Sequence, residues 1–414
     1  MKTGPAPLAG VRVLDLTSVL MGPYATQIMA DMGADVIKVE APAGDTTRWI
    51  GQALSPGMSP LFLQVNRNKR GLVLDLKDPA GRDALLRLVD GADIFIHAIR
   101  PQAVRRLGLD AATLCALNPR LIHCGLYGYG ERGCHAGKPA YDDLIQGAAA
   151  IPALYMRAGG AEPRYAPTTI ADRITGLTGL VHILMALYAR ERGGRGQAID
   201  VPMFETMAAF VLTDHLYLGI FDPPPGPLGY ARLLDPNRKP YATADGHICV
   251  MVYTDRHWQR FFEITGRTDL KDDARFATFQ SRAENVDSIY RFVREALASR
   301  TTQAWLAVLD DADIPAMPMN SVDDLLTDRH LAEVGLLQWA PHPTEGALRM
   351  IGVPAEWRDF APAVPRPAPH LGEHSVEILR EVGLKDATID AMLKTGATID
   401  GRGAGETLSK SRKV

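Results

Sequence analysis

From Val11 to Leu126, short β-branched apolar runs alternate with stretches of helical spacing. Val11–Thr17 (VRVLDLT), Asp35–Glu40 (DVIKVE), Leu72–Leu76 (LVLDL), Asp93–Ile99 (DIFIHAI) and Leu121–Leu126 (LIHCGL) read as strands. Between them, helical patterns run from Pro23 to Met32, stopped by Gly33, and from Pro79 to Val89, where proline suits a first turn. Strands interleaved with helices predict a parallel sheet covered on both faces. The expected fold class is α/β, with a Rossmann-like sheet in a large domain.

After Tyr141 the pattern turns helical. Ala171–Glu191, ending at Gly193-Gly194, is apolar nearly all round and is expected to be a core helix. Its most apolar part, Leu177–Ala189, is broken by Thr178, Gly179 and His182 and reads as too short to span a bilayer. Phe204–Phe221 predicts another helix, and the Asp222–Gly229 stretch (DPPPGPLG) a linker. Tyr241–Val252 predicts a hairpin turning at Asp245-Gly246. Helices are expected at Asp255–Gly266, Val286–Ser299 and Thr302–Asp310, an extended proline-rich return over Pro341–Pro369, and a last helix over Ser375–Val382. A polar tail begins at Gly401. These elements divide the chain into a large-domain part (1–200), helix and linker (201–225), a smaller α+β domain (226–330) and a returning C-terminal part of the large domain (331–414).

Composition narrows the function classes. In 414 residues, 46% are hydrophobic and 22% charged, which is globular rather than disordered. Forty-five basic against 48 acidic residues leave a net charge of -3, without the basic excess of a nucleic-acid binder. Four cysteines (Cys115, Cys124, Cys134, Cys249) form no CxxC pair and no metal-type spacing with histidine, so a reduced, soluble, cytoplasmic protein without a metal site is expected. No signal peptide is visible in Met1–Gly10.

Several common chemistries are missing. No GxGxxG follows the first strand, and no phosphate-binding GxxxxGK loop, GxSxG elbow or HExxH helix occurs. Four places carry candidate chemistry instead. Asp172 opens the long apolar helix, where free amides and the helix dipole favour a carboxylate. It reads either as a helix cap or as an ionised nucleophile towards an acyl group. Asp142 or Asp143 reads as the cap of a helix beside Lys138 and Tyr141, which could face a ligand. Basic residues near strand ends (Asn66–Arg70, Lys77, Arg100, Arg105, Arg106) suit phosphates or simply a solvated surface. Val19–Pro23 follows the first strand and offers either backbone amides to a ligand or an ordinary turn.

Taken together these segments resemble the family III CoA-transferases, the group containing formyl-CoA and carnitine CoA-transferases. The similarity runs in order through Pro7–Thr17, Gly22-Pro23, Gly33–Glu40, Asn68–Lys77, Arg100-Pro101, Leu107–Leu109, Asn118–Ile122, Pro139–Asp142 with Gln146, and Ala171-Asp172. It continues at Gly194–Gln197, Asp245-Gly246 and His370–His374.

The resemblance implies that Asp172 attacks a donor thioester, giving an aspartyl–acyl anhydride and then an aspartyl-CoA thioester that an acceptor carboxylate attacks. It implies CoA contacts at Val19, Leu20, Leu74, Lys77, Ala98, Ile99, Arg100, Arg106, Lys138 and Tyr141, with Lys77, Arg100 and Arg106 on phosphates. Coenzyme A is then a substrate, as acyl-CoA, rather than a tightly bound cofactor. The resemblance also implies a large domain built from both chain ends and an interlocked homodimer. Gly226–Gly229 is less glycine-rich than the loop that covers the family's site.

Two departures bear on the substrate. Leu20 replaces the loop glutamine of formyl-CoA transferase, which argues against a formyl or oxalyl group, and Ala41 replaces an arginine of its nucleotide grip. Leu20, Met21 and Tyr24 are expected along the acyl region, with a succinyl-type donor and a small dicarboxylate or branched-acid acceptor. The alternative is an α-methylacyl-CoA racemase or other CoA-ester isomerase, which shares the fold. Racemases of the family carry a histidine where this chain has Tyr141, and without it half of the acid/base pair is missing. A silent CoA-binding protein would not need Asp172.

Overall fold

A computed structural model describes residues 4–360, 362 and 366–402. Six strands, β1 (Arg12–Leu16), β2 (Asp35–Glu40), β3 (Arg70–Val73), β4 (Ile94–His97), β5 (Ile122–Tyr127) and β6 (Ala198–Pro202), form one sheet. Their order is β3-β2-β1-β4-β5-β6, with every neighbouring pair parallel. Strands buried on both faces read as continuous apolar runs, and Leu14 pairs with Ile37 on one side and Phe95 on the other. The expected parallel sheet is present. Its sixth strand lacked an expectation because AIDVP is short and mostly unburied.

Helices α1 (Met21–Asp31), α2 (Pro60–Val65), α3 (Pro79–Asp90), α4 (Pro101–Leu107), α5 (Ala111–Leu117), α6 (Asp142–Ala148), α7 (Ile151–Arg157), α8 (Ile170–Gly193) and α9 (Met203–His215) follow in chain order. Proline occupies the first helical position of α2, α3 and α4, where its missing N–H is not needed. Side chains from α3 and α5 pack on one sheet face together with Val376, Ile378, Leu379, Ile389 and Met392 of the C-terminal segment. On the other face Ala25 and Met29 of α1 meet Leu180, Ile183 and Leu187 of α8. Gly176 lets α1 and α8 touch: a Cβ there would sit 2.4 Å from the Met21 carbonyl oxygen.

The chain forms two compact units, one of residues up to Ala149, Ala166–Ala209 and from Ala332 onward, the other of Ala150–Tyr165 and Phe210–Leu331. The second unit therefore starts at Ala150, takes in α7 and resumes inside α9, whereas the sequence placed residues 150–165 in the large-domain part. It holds a three-stranded antiparallel sheet (Tyr241–Ala242, His247–Val250, Ala316–Pro318) with the hairpin at Asp245-Gly246. Trp258, Phe261, Phe262, Phe276 and Trp305 form its core.

Several expectations need correction. Phe204–Phe221 is not one helix, because α9 stops at His215 and a 3-10 turn follows over Tyr217–Ile220. Pro341–Pro369 is not simply extended, since Leu337–His342 and Gly346–Ile351 pair as an antiparallel hairpin. A further helix, Asp386–Thr395, follows the expected one at Ser375–Glu381. Helix α8 has 24 residues, long and apolar enough to cross a membrane by length and composition, contrary to the shorter reading. Half of its most apolar window is buried. Residues 1–3, residues 361 and 363–365 of the return segment, and the tail beyond 402 lie outside the described residues.

Candidate active site

Strand order reverses between β1 and β4, and open α/β sheets bind ligands outside the carboxyl ends of strands at such a switch point. A cavity of about 330 Å³ lies there. It collects six of the expected site residues: Val19 after β1, Ala98 and Arg100 after β4, Lys138 and Tyr141 before α6, and Asp172 in the first turn of α8. The other five do not line it. Leu20 is buried at the start of α1, Leu74 lies in the core, and Ile99 packs against that core. Lys77 and Arg106 are exposed. Past the end of β4, Ala98 and Arg100 line the cavity while the Ile99 side chain packs against the core.

Asp172 is 9% exposed and is not a helix cap. It is the third residue of α8, and the capping position, Thr169, makes no side-chain bond. The Asp172 N–H instead donates to Asp142 Oδ1 at 2.9 Å. Asp142 is thus the stand-in cap of α8 rather than of its own helix, whose capping position is Tyr141. Gln146 holds that carboxylate in place: Nε2 donates to Asp142 Oδ2 at 2.6 Å, and Oε1 accepts the Ala166 N–H at 2.8 Å.

Burial raises the Asp172 pKa to about 7, the Asp142 charge adds to the rise, and the adjacent Arg173 opposes it. The expectation that Asp172 simply stays ionised is therefore corrected. Helix position favours the anion, but desolvation beside a second carboxylate outweighs it. The Arg173 guanidinium lies 4.3 Å from the Tyr24 ring centroid. Of the expected acyl-facing residues, only Met21 lines the cavity; Leu20 and Tyr24 do not.

The loop after β1 is strained and tied down from below. Val19 has φ 67°, a left-handed conformation that β-branched residues rarely adopt. Its N–H donates to Asp45 Oδ1 at 3.2 Å. Asp45 Oδ2 pairs with fully buried Lys38 at 2.8 Å, and Lys38 also donates to the Thr17 carbonyl at 3.1 Å. Sequence reading missed Asp45 as a support and Thr46 as part of the cavity lining, and it noted Gln146 only within the resemblance, because no local motif marks a residue that acts through another segment's backbone.

Arg100 and Lys138 bring positive charge to the cavity. Among the described residues Arg100, Arg106 and Lys77 form no ion pair, whereas Lys138 Nζ lies 2.9 Å from His135 Nδ1. Among the described residues lining the cavity none is a histidine. The arrangement offers one desolvated carboxylate, a second carboxylate bonded to its amide, and two exposed cations in the lining.

Residues 8–375 match the sequence pattern of CoA-transferase family III. The chain is 32% identical to a succinate–glutarate CoA-transferase of Agrobacterium fabrum, over 91% of this chain and 96% of that one. It is 31% identical to a succinyl-CoA:mesaconate CoA-transferase of Haloarcula hispanica, over 92% and 98% respectively. The crystal structure of Rv3272 from Mycobacterium tuberculosis superposes with a TM-score of 0.77 at 32% identity, covering 90% of this chain and 99% of that one. An α/β transferase is what the sheet, its switch-point cavity and these relatives define together. The chain belongs to CoA-transferase family III.

Proposed function

We propose that this protein moves CoA from a succinyl-type acyl-CoA to a small dicarboxylic acid, with Asp172 as the group that carries the acyl and CoA moieties in turn. The Asp172 carboxylate attacks the donor carbonyl, the C–S bond breaks, and CoA thiolate leaves an aspartyl–acyl anhydride. Thiolate then attacks the aspartyl carbonyl, releasing the donor acid and leaving an aspartyl-CoA thioester. The acceptor carboxylate attacks this thioester, and the thiolate set free attacks the acceptor carbonyl of the new anhydride. Acceptor-CoA departs and the Asp172 carboxylate is restored. Every step exchanges one activated carbonyl for another, so no ATP is needed.

The observation that carries the reading is a 9% exposed carboxyl with a pKa near 7 in the wall of the switch-point cavity. Such a group is partly anionic at neutral pH and desolvated enough to be nucleophilic. Exclusion of water protects an anhydride from hydrolysis. Relatives named for succinate, glutarate and mesaconate support the dicarboxylate class. Arg100 and Lys138 supply charge for CoA phosphates. Four free thiols support a cytoplasmic setting.

Self-association fits the outer side of α8, where Leu177, Val181, Leu184, Met185 and Tyr188 are all exposed. A contiguous apolar stripe of that kind favours a partner surface, and we assign it to a second copy of the chain. Sedimentation of the wild type and of a Met185→Glu, Tyr188→Glu variant tests this: dimer for the first, monomer for the second.

The test of the chemistry is incubation with succinyl-CoA and glutarate, mesaconate or other carboxylates, followed by mass spectrometry of CoA esters and protein. New acyl-CoA and a CoA adduct on Asp172 are expected. Solvent deuterium entering the α carbon without acyl exchange would instead establish a CoA-ester isomerase.

A further inference from the structure

Strand β4 ends in His97, whose side chain is fully buried. Its Nδ1 lies 3.2 Å from the Ile99 backbone nitrogen and accepts that N–H. The bond spans two residues, like the one an aspartate or asparagine makes to its own chain in a turn. A ring nitrogen that accepts carries no proton, so the proton of the neutral ring is on Nε2. That Nε2 has no hydrogen-bond partner among the described residues.

Keeping an unmatched donor in a core is unfavourable, and an apolar ring of similar size would avoid the penalty. A local rule broken this way marks a place where something other than packing is being served. The ring is also held uncharged: burial, followed by the neighbouring His123, lowers its pKa to about 3. His123 lies beside it, ring centroids 5.0 Å apart, with Nε2 3.0 Å from the Leu109 carbonyl oxygen. Phe95 and Tyr127 complete the cage, at centroid distances of 5.7 Å each.

What the His97 bond holds is the strand end that faces the cavity. Ala98 and Arg100 line the cavity, while the Ile99 side chain between them packs against the core. Arg100 is the residue that opens α4, and its side chain makes no capping bond. Fixing the Ile99 amide therefore fixes the backbone from which the Arg100 guanidinium projects.

We propose that His97 is a positioning residue for coenzyme A: by accepting the Ile99 amide it sets the Ala98–Arg100 turn, so that Arg100 meets an anionic part of the ligand already oriented. The inference rests on the reading that this cavity takes CoA. A preoriented side chain saves the ordering cost that binding otherwise meets. His97 is not among the residues lining the cavity, and it acts through one amide.

Two substitutions separate this role from simple packing. Asparagine at the same position keeps an oxygen able to accept the i+2 amide; phenylalanine keeps the ring and removes the acceptor. Calorimetric titration with CoA and steady-state kinetics with an acyl-CoA donor give the readout. His97→Phe is expected to raise the CoA dissociation constant and the acyl-CoA KM about tenfold, the range of one charge-assisted contact, with kcat changed less than about twofold. His97→Asn is expected to stay within about threefold of the wild type.

Equal CoA affinity in wild type and His97→Phe, or equal weakening by both variants, would overturn the inference. Nitrogen-15 spectra of the wild-type protein decide the point even if a variant fails to fold. An unprotonated Nδ1 supports the role, and a proton on Nδ1 refutes it. Wild-type protein that does not bind CoA at all would remove the functional reading and this inference with it, an outcome distinct from wild type and His97→Phe binding CoA equally well.

Discussion

The Asp172 N–H and Asp142 Oδ1 are joined at 2.9 Å, so the carboxylate that closes the start of α8 is also the one that opposes ionisation of Asp172. A neutral acceptor would cap the helix as well. The charge at this position therefore adds something beyond capping: it raises the basicity of the neighbouring carboxylate, and a more basic nucleophile forms stronger bonds to carbonyl carbon.

The charge can be separated from the cap. Asp142→Asn keeps an oxygen for the Asp172 amide and removes the anion. Its pH profile for kcat/KM is expected to move towards lower pH, with a small loss of thermal stability because the new amide Nδ2 faces the donating Gln146 Nε2. Asp142→Ala loses the cap as well and is expected to be less stable by about 1–2 kcal/mol in urea unfolding. Identical pH profiles for wild type and Asp142→Asn would show that the neighbouring charge does not reach Asp172.

Asp172 itself links pH to stability. Its folded pKa, about 7, lies above the ordinary 3.8. Below pH 4 the group is protonated folded or unfolded and contributes no difference. Between the two values only the unfolded chain ionises, so stability falls as pH rises, and the loss is complete above pH 7. Asp172→Asn is therefore expected to be more stable than wild type at pH 8, by on the order of a few kcal/mol, and so to melt higher, with the gap closing near pH 4. Melting curves across that interval check the sign.

The same substitution probes chemistry. Asp172→Asn is expected to reduce CoA transfer by about a thousandfold or more, as loss of a nucleophile does, and to leave CoA binding within a few-fold of wild type. For the wild type, kcat/KM is expected to rise with pH through an apparent pKa of about 7. Exchange of labelled CoA between succinyl-CoA and succinate follows both quantities.

Beneath the cavity, Asp45 links charge to backbone. Its removal leaves Lys38, which is 0% exposed, without its 2.8 Å partner. Breaking a buried pair from one side costs about 3–5 kcal/mol, so Asp45→Ala is expected to unfold at much lower denaturant. Val19→Gly is a milder change, relieving the φ of 67°. It is expected to alter stability by no more than about 1 kcal/mol, because relaxed strain offsets lost packing and chain entropy. Urea midpoints separate the two cases.

Arg100 tests the electrostatics of the cavity. Arg100→Ala is expected to raise the acyl-CoA KM about tenfold and to flatten its salt dependence, since a phosphate contact is charge-assisted and screened. A KM unchanged in both respects would place the phosphates elsewhere, with the exposed Arg106 and Lys77 as the next positions to vary.

Strands β1 to β5, the hairpin at Asp245-Gly246 and the long helix with Asp172 near its start are all legible in the chain, because β-branched runs, turn residues and helical spacing are local signals. Asp172 and the helix opened by Pro79 could be placed in the same way. Strand β6 was not, being short and partly polar, nor was the apolar outer side of α8, whose composition looks alike on every face. The sequence alone determined the parallel α/β rhythm and a carboxylate at a helix start. Only the tertiary structure decided that Asp142 caps that helix, that burial beside Asp142 raises the Asp172 pKa, and that Val19 rests on the Lys38–Asp45 pair. Those outcomes depend on desolvation and on contacts between residues far apart in the chain, and neither quantity is encoded in the local pattern of any one segment.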